Sequence, residues 1–158
     1  MFDFTGQVIA ITGASSGIGL EIARKFYLAG ARLALCSRSE ERVRSAVADW
    51  ADTSDARLLI ISADTSIIKD IYRFRDAAVE RFGRIDVWVN NAGIEHPMPT
   101  VEMTQEIFDA VVNTNFRGYY FGCQSAAQDM LRRGEGGTIV NIGSVNAVTV
   151  VPGQAVYA

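Results

Sequence analysis

Five short apolar runs, rich in β-branched residues, recur along the chain at 8–11, 32–36, 57–62, 85–89 and 138–142. Runs this short, bounded by glycine and polar residues, read as buried parallel strands. Between them apolar residues return at helical spacing. Residues 20–28 carry such a stripe, and Gly30 follows where glycine commonly ends a helix. A second helix is expected over 40–50, capped by Ser39, with Glu40 and Glu41 in its first turn and a polar stretch at 52–55 after it. Ile67, Ile68, Ile71, Phe74, Ala78 and Phe82 form the inner stripe of a third helix that ends near Gly83. Thr104 caps a fourth, with Ile107, Phe108, Val111 and Val112 turned inward. A longer helix over 119–132 is closed off before the last strand by Gly136 and Gly137. Strand and helix alternate throughout, which predicts an α/β fold with a parallel sheet covered on both faces.

Composition narrows the class. The 158 residues are 49% hydrophobic and 21% charged, with a net charge of −3, which reads as one globular domain over 1–158 with a real core. No run of lysine and arginine points to nucleic acid. No apolar stretch approaches membrane-spanning length, and residues 1–4 do not read as a signal peptide. Cys36 and Cys123 fit neither a zinc spacing nor a disulfide framework, so they are expected to be free thiols in a reducing cytoplasm, with no metal site.

The first strand runs into Thr12-Gly13-Ala14-Ser15-Ser16-Gly17-Ile18-Gly19 and then into a helix. Strand, glycine turn and helix form the context in which a dinucleotide fingerprint has meaning. Gly13 can make the tight turn, Gly17 can let a pyrophosphate approach the backbone, and Gly19 can let the helix pack closely. Free N–H groups of the first helical turn, Ser15, Ser16 and Ile18 among the residues around them, would face the phosphates. A glycine-rich turn with no ligand has the same composition, so the turn alone leaves both readings open. At the end of the second strand, where NAD-binding folds place a carboxylate for the ribose 2′-hydroxyl, this chain has Ser37 and Arg38. An arginine there can fork onto a 2′-phosphate and the serine can donate to it. The alternative is a solvated loop arginine.

The glycine spacing here, Gly-x-x-x-Gly-x-Gly, departs from Gly-x-Gly-x-x-Gly and resembles the first turn of the short-chain dehydrogenase/reductase family. Asn90-Asn91-Ala92-Gly93, after the fourth strand, matches the family's second signature, and Ser144 with Tyr157 matches its catalytic serine and tyrosine. The resemblance covers the whole chain. It implies a doubly wound Rossmann sheet with strand order 3-2-1-4-5, without the family's last strands and helices. It also implies hydride transfer between NADP(H), with NAD(H) as the other option, and a small-molecule carbonyl or secondary alcohol. On this resemblance Asp64 and Thr65 lie near the adenine, although Asp64 also reads as a helix cap for the segment near Ser66. Asn91, Ala92 and Gly93 pass beside the cofactor. Asn115, spaced before Gly118 as in the family pattern, disturbs its helix and holds a relay water, whereas Asn113 falls too early and reads as a surface amide. Ser144 polarises the carbonyl and Tyr157 is the general acid. His96, the only histidine, is either an exposed loop residue or a substrate contact. The motif's lysine would fall at position 161, past the residues given, so these residues alone are expected to bind cofactor better than they turn over substrate. A homo-oligomer is implied for a family-like protein. A non-catalytic nucleotide-binding module is the alternative reading.

Overall fold

The computed structural model describes residues 2–52, 54, 56–149 and 151–158. Thr53 and Asp55 of the polar stretch lie outside the described residues. Five parallel strands form one sheet: β1 (Val8–Thr12), β2 (Arg32–Ser37), β3 (Leu58–Ser62), β4 (Val87–Asn90) and β5 (Thr138–Asn141). Their order is β3-β2-β1-β4-β5, the doubly wound order expected. The helices are α1 (Gly17–Leu28), α2 (Glu40–Val47), α3 (Ile68–Phe82), α4 (Gln105–Val112) and α5 (Gly118–Arg133).

The two-residue period of the strands sorts the core into two layers. Ile9, Ile11, Leu33 and Leu35 share a cluster with Ala23 of α1 and with Val43 and Val47 of α2. Ala10 and Ala34 share the other cluster with Phe74 of α3, Trp88 of β4 and Ala126 of α5. Ala10 sits directly beside Trp88 in the strand register, and the Trp88 and Phe74 rings lie 5.4 Å apart. Small strand residues on this face leave room for the two large rings, which is how a close-packed interior is filled.

Several boundaries differ from expectation. α1 begins at Gly17 rather than residue 20, because the glycine turn itself supplies the helix's first turn. α2 ends at Val47: the Trp50 and Ala51 N–H groups both donate to the Val47 carbonyl, at 3.0 and 2.9 Å, and Trp50 packs edge-on against Tyr27 at 5.3 Å. Asp64 does not cap α3. Its carboxylate accepts from Ser66 N and Ser66 Oγ, closing the turn before the helix, while its own N–H donates to Asp70 Oδ2. α4 and α5 are joined by a wide five-residue π turn, Asn113–Arg117, so the disturbance expected around Asn115 is present in the backbone.

Candidate functional site

The glycine turn and the strand-four exit form one interlocked unit at the carboxyl ends of β1 and β4. Gly13 has a φ of +68°, and a Cβ there would come within 2.7 Å of Ala92 Cα. A Cβ on Gly19 would lie 2.6 Å from the Gly13 carbonyl oxygen and would also collide with the Asn91 amide. Only glycine leaves room at either position. Gly19 therefore lets α1 pack closely on Asn91 and the Gly13 carbonyl, at the carboxyl ends of β4 and β1. Asn91 Nδ2 donates to the Thr12 and Gly13 carbonyls, both at 3.1 Å. Thr12 Oγ1 accepts from the N–H groups of Asn91 and Ala92, at 3.0 and 3.1 Å. Asn90 is buried and ties the other way, donating to Asn141 Oδ1 on β5 at 2.8 Å and accepting from Trp88 Nε1 at 2.6 Å.

A cleft of about 650 Å³ opens over this unit. Gly13, Ser15, Ser16 and Ile18 line it from the turn, Ser37 and Arg38 from the end of β2, Asp64 and Thr65 from the end of β3, and Asn91, Ala92 and Gly93 from the exit of β4. Of the residues assigned to the cofactor, Gly17 and Gly19 do not line it. Gly17 turns with a φ of +56° at the start of α1, and Gly19 packs behind, against Asn91. The Ser16 side chain makes no capping bond to α1 and no acidic residue occupies the first turn, so the helix's leading N–H groups stay available to an anion. At the β2 end, Ser37 Oγ donates to the Ser39 carbonyl at 2.8 Å and accepts from the Ser39 N–H at 3.2 Å, so the proton expected to reach a ligand is engaged within the turn. Arg38 is exposed, and among the described residues it has no ion-pair partner. Uncapped N–H groups, an unpaired guanidinium and a cavity of this size fit a phosphate-bearing dinucleotide.

A second cleft, of about 450 Å³, shares Ile18, Asn91, Gly93 and Ile94 with the first and is lined in addition by Asn115, Tyr119, Ser144 and Tyr157. The Asn115 side chain is engaged at both ends with Ile94, accepting from its N–H at 2.9 Å and donating to its carbonyl at 2.8 Å. The amide thus pins the wall shared by the two clefts. Ser144 Oγ accepts from Asn146 N at 3.2 Å, so its own proton remains free to donate. Tyr157 closes a turn in which its N–H donates to the Gln154 carbonyl at 3.0 Å. Gln154 is itself held by Asn146 and by Glu95, the latter at 3.0 Å, and the Gly153 carbonyl accepts from Met98 N at 2.8 Å. These bonds tie down the segment that carries the phenol.

Tyr119 was not among the residues singled out from sequence. Its hydroxyl donates to the Ile142 carbonyl at 3.0 Å, and burial pushes its pKa up to about 12. It is a fixed neutral wall beside the other phenol. Nothing in its spacing separates it from its exposed neighbour Tyr120. His96 is exposed and lines neither cleft. Asn113 lines the first cleft and accepts from Arg117 Nη1 at 3.3 Å. Among the described residues no cluster of His, Cys, Asp and Glu could hold a metal, and no helix is long and apolar enough to cross a membrane.

A short chain dehydrogenase sequence profile matches residues 7–158. Levodione reductase of Leifsonia aquatica is 38% identical over 157 residues, covering 98% of this chain and 58% of that protein. 3beta-hydroxysteroid dehydrogenase 2 of Eggerthella lenta is 33% identical over 153 residues, covering 96% and 58%. The crystal structure of a short-chain dehydrogenase/reductase, glucose/ribitol dehydrogenase, from Brucella melitensis superimposes with a TM-score of 0.90 at 30% identity, covering 99% of this chain and 64% of that one. The chain belongs to the short-chain dehydrogenase family, whose members bind NAD(P)(H). It spans less than two thirds of the length of these relatives.

Proposed function

We propose that residues 1–158 form the dinucleotide-binding domain of an NADP(H)-dependent oxidoreductase that interconverts a carbonyl and a secondary alcohol. The observation that carries this reading is that the two clefts share Ile18, Asn91, Gly93 and Ile94 as lining residues, with Ser144 and Tyr157 lining the second. Gly13, Ser15, Ser16, Gly17, Ile18 and Gly19 form the turn that would cradle the pyrophosphate. Asp64 and Thr65 would flank the adenine, and Asn91, Ala92 and Gly93 would border the nicotinamide. Ser37 and Arg38 would meet the ribose 2′ position. NADP(H) is favoured over NAD(H) because neither Cys36 nor Ser37 is a carboxylate and the nearby Glu40 is paired with Arg44 at 2.7 Å.

When bound, the dinucleotide supplies or takes up a hydride. The chain's own groups handle the oxygen. Ser144 donates its free proton to the substrate oxygen and holds it in register. Tyr157 gives that oxygen a proton in reduction and takes one back in oxidation. Asn115 holds the shared wall at Ile94 and supports the proton relay. Relatives named for levodione reduction and 3beta-hydroxysteroid dehydrogenation support a small-molecule carbonyl or alcohol as substrate.

By the family pattern a lysine four residues on carries the charge that makes the tyrosine an effective acid–base group, and that position, 161, falls past residue 158, so turnover by these residues alone is expected to be weak. The test is NADPH oxidation against a panel of ketones, with the 158-residue chain, a chain continued through a lysine at position 161, and Tyr157→Phe in each. Turnover is expected to rise on continuation and to vanish in Tyr157→Phe. Turnover indifferent to Tyr157→Phe would overturn the assigned chemistry.

A further inference from the structure

We infer that Arg42 is a second cation for the 2′-phosphate, acting with Arg38 from the first turn of α2; the inference rests on the NADP(H) reading above. Both arginines are exposed and both line the wide cleft, Arg38 directly after β2 and Arg42 in the first turn of α2. Neighbouring arginines are neutralised inside the protein: Arg44 by Glu40 at 2.7 Å and Arg73 by Asp70 at 3.0 Å. Arg38 and Arg42 have no ion-pair partner among the described residues. The acidic groups close to them are engaged elsewhere. Glu40 holds Arg44, Asp64 accepts from Ser66, and Asp70 holds Arg73 while accepting from Asp64 N. Glu41 does not line the cleft.

The position of Arg42 is fixed by the helix cap, since its backbone N–H donates to Ser39 Oγ at 3.2 Å. A phosphomonoester presents three oxygens and carries close to two negative charges at neutral pH. One guanidinium can fork onto two of those oxygens and leaves the third, with part of the charge, unmet. A second guanidinium lining the same cleft, four residues further along the chain, would supply the missing donors. A ribose with a free 2′-hydroxyl offers Arg42 nothing comparable, so the residue acts on selectivity and not on general nucleotide affinity.

Calorimetric titration with 2′,5′-ADP, 3′,5′-ADP and 5′-AMP tests this without requiring turnover. Wild type is expected to bind 2′,5′-ADP most tightly of the three. Arg42→Gln is expected to weaken 2′,5′-ADP about tenfold, the loss of one charge-assisted contact, while 5′-AMP changes by less than about twofold. Arg42→Lys, which keeps the charge, is expected to retain the larger part of the selectivity. Thermal melts of both variants should match wild type, because the side chain is exposed. If Arg38→Gln weakens 2′,5′-ADP and Arg42→Gln does not, this inference falls and the NADP(H) reading stands. If wild type binds 2′,5′-ADP no more tightly than 5′-AMP, the NADP(H) reading falls and takes this inference with it. Equal binding of 3′,5′-ADP and 2′,5′-ADP would show diffuse attraction and overturn the assignment of Arg42 to the 2′ position.

Discussion

Replacing Gly19 by alanine tests whether the glycine turn and the strand-four exit are one mechanical unit. The new methyl would sit 2.6 Å from the Gly13 carbonyl oxygen and on top of the Asn91 amide. Overpacking of this kind costs about 1–3 kcal/mol, while the better helix propensity of alanine returns up to about 1 kcal/mol. The net expectation for Gly19→Ala is a loss of about 1–2 kcal/mol. Asn91→Ala removes two side-chain hydrogen bonds of 3.1 Å to the Thr12 and Gly13 carbonyls. At about 1 kcal/mol each, the loss is about 2 kcal/mol. In the double variant the collision with the amide is gone and only the contact with the Gly13 carbonyl remains. The second substitution should then cost about 1 kcal/mol less than it does alone, a coupling that urea unfolding of all four proteins can resolve. Additivity within about 0.3 kcal/mol would refute the interlock and leave two independent turns.

Two further outcomes follow from buried groups. Burial pushes the Cys36 thiol up to about 12, whereas Cys123 is only half-buried, so an aromatic disulfide reagent at pH 8 should titrate Cys123 alone until the protein unfolds. Because the raised pKa favours the protonated folded state, the stability that Cys36 lends is present below its ordinary value of 9.0 and is lost as pH rises from there toward 12; a Cys36→Ala variant should show a flatter decline over that range in chemical melts. Asp129, 1% exposed, holds Arg132 at 2.6 Å and Arg133 at 3.1 Å and accepts from Ile85 N; Asp129→Ala leaves that buried N–H unpaired and Arg133 with Glu135, at 3.0 Å, as its remaining ion-pair partner, so it should cost about 2 kcal/mol, and a urea midpoint close to wild type would contradict that role.

The strands were legible because each is a short apolar run between glycine and polar residues, and the sheet order followed from the family resemblance. Boundaries were less so. Nothing in the stripe at 20–28 reveals that Gly17–Gly19 already belong to α1, and the end of α2 depends on Trp50 meeting Tyr27 from another helix. Residues of the site were found where a motif carried them: Gly13, Asn91, Ser144 and Tyr157 all line the clefts. What spacing did not carry were contacts across the fold. Asn91 and Gly13 bond across a separation of 78 residues, and Asn115 pins Ile94 rather than standing free. Asp64 was readable as an N-terminal turn residue, but whether it closes the turn at Ser66 or caps the helix depends on one turn of backbone. Arg38 and Arg42 could be weighed only once their neighbours' ion pairs were known, since exposure and charge alone describe most surface arginines.

Calorimetric titration of the 158-residue chain with NADPH and NADH decides whether the wide cleft takes a dinucleotide with its 2′-phosphate at Arg38. A charge-assisted contact to the phosphate corresponds to a preference of about ten- to hundredfold for NADPH, and Arg38→Ala should shrink that gap while leaving NADH affinity near its starting value. Equal or reversed affinities for the two nucleotides, or a gap untouched by Arg38→Ala, would rule out a 2′-phosphate site at Arg38.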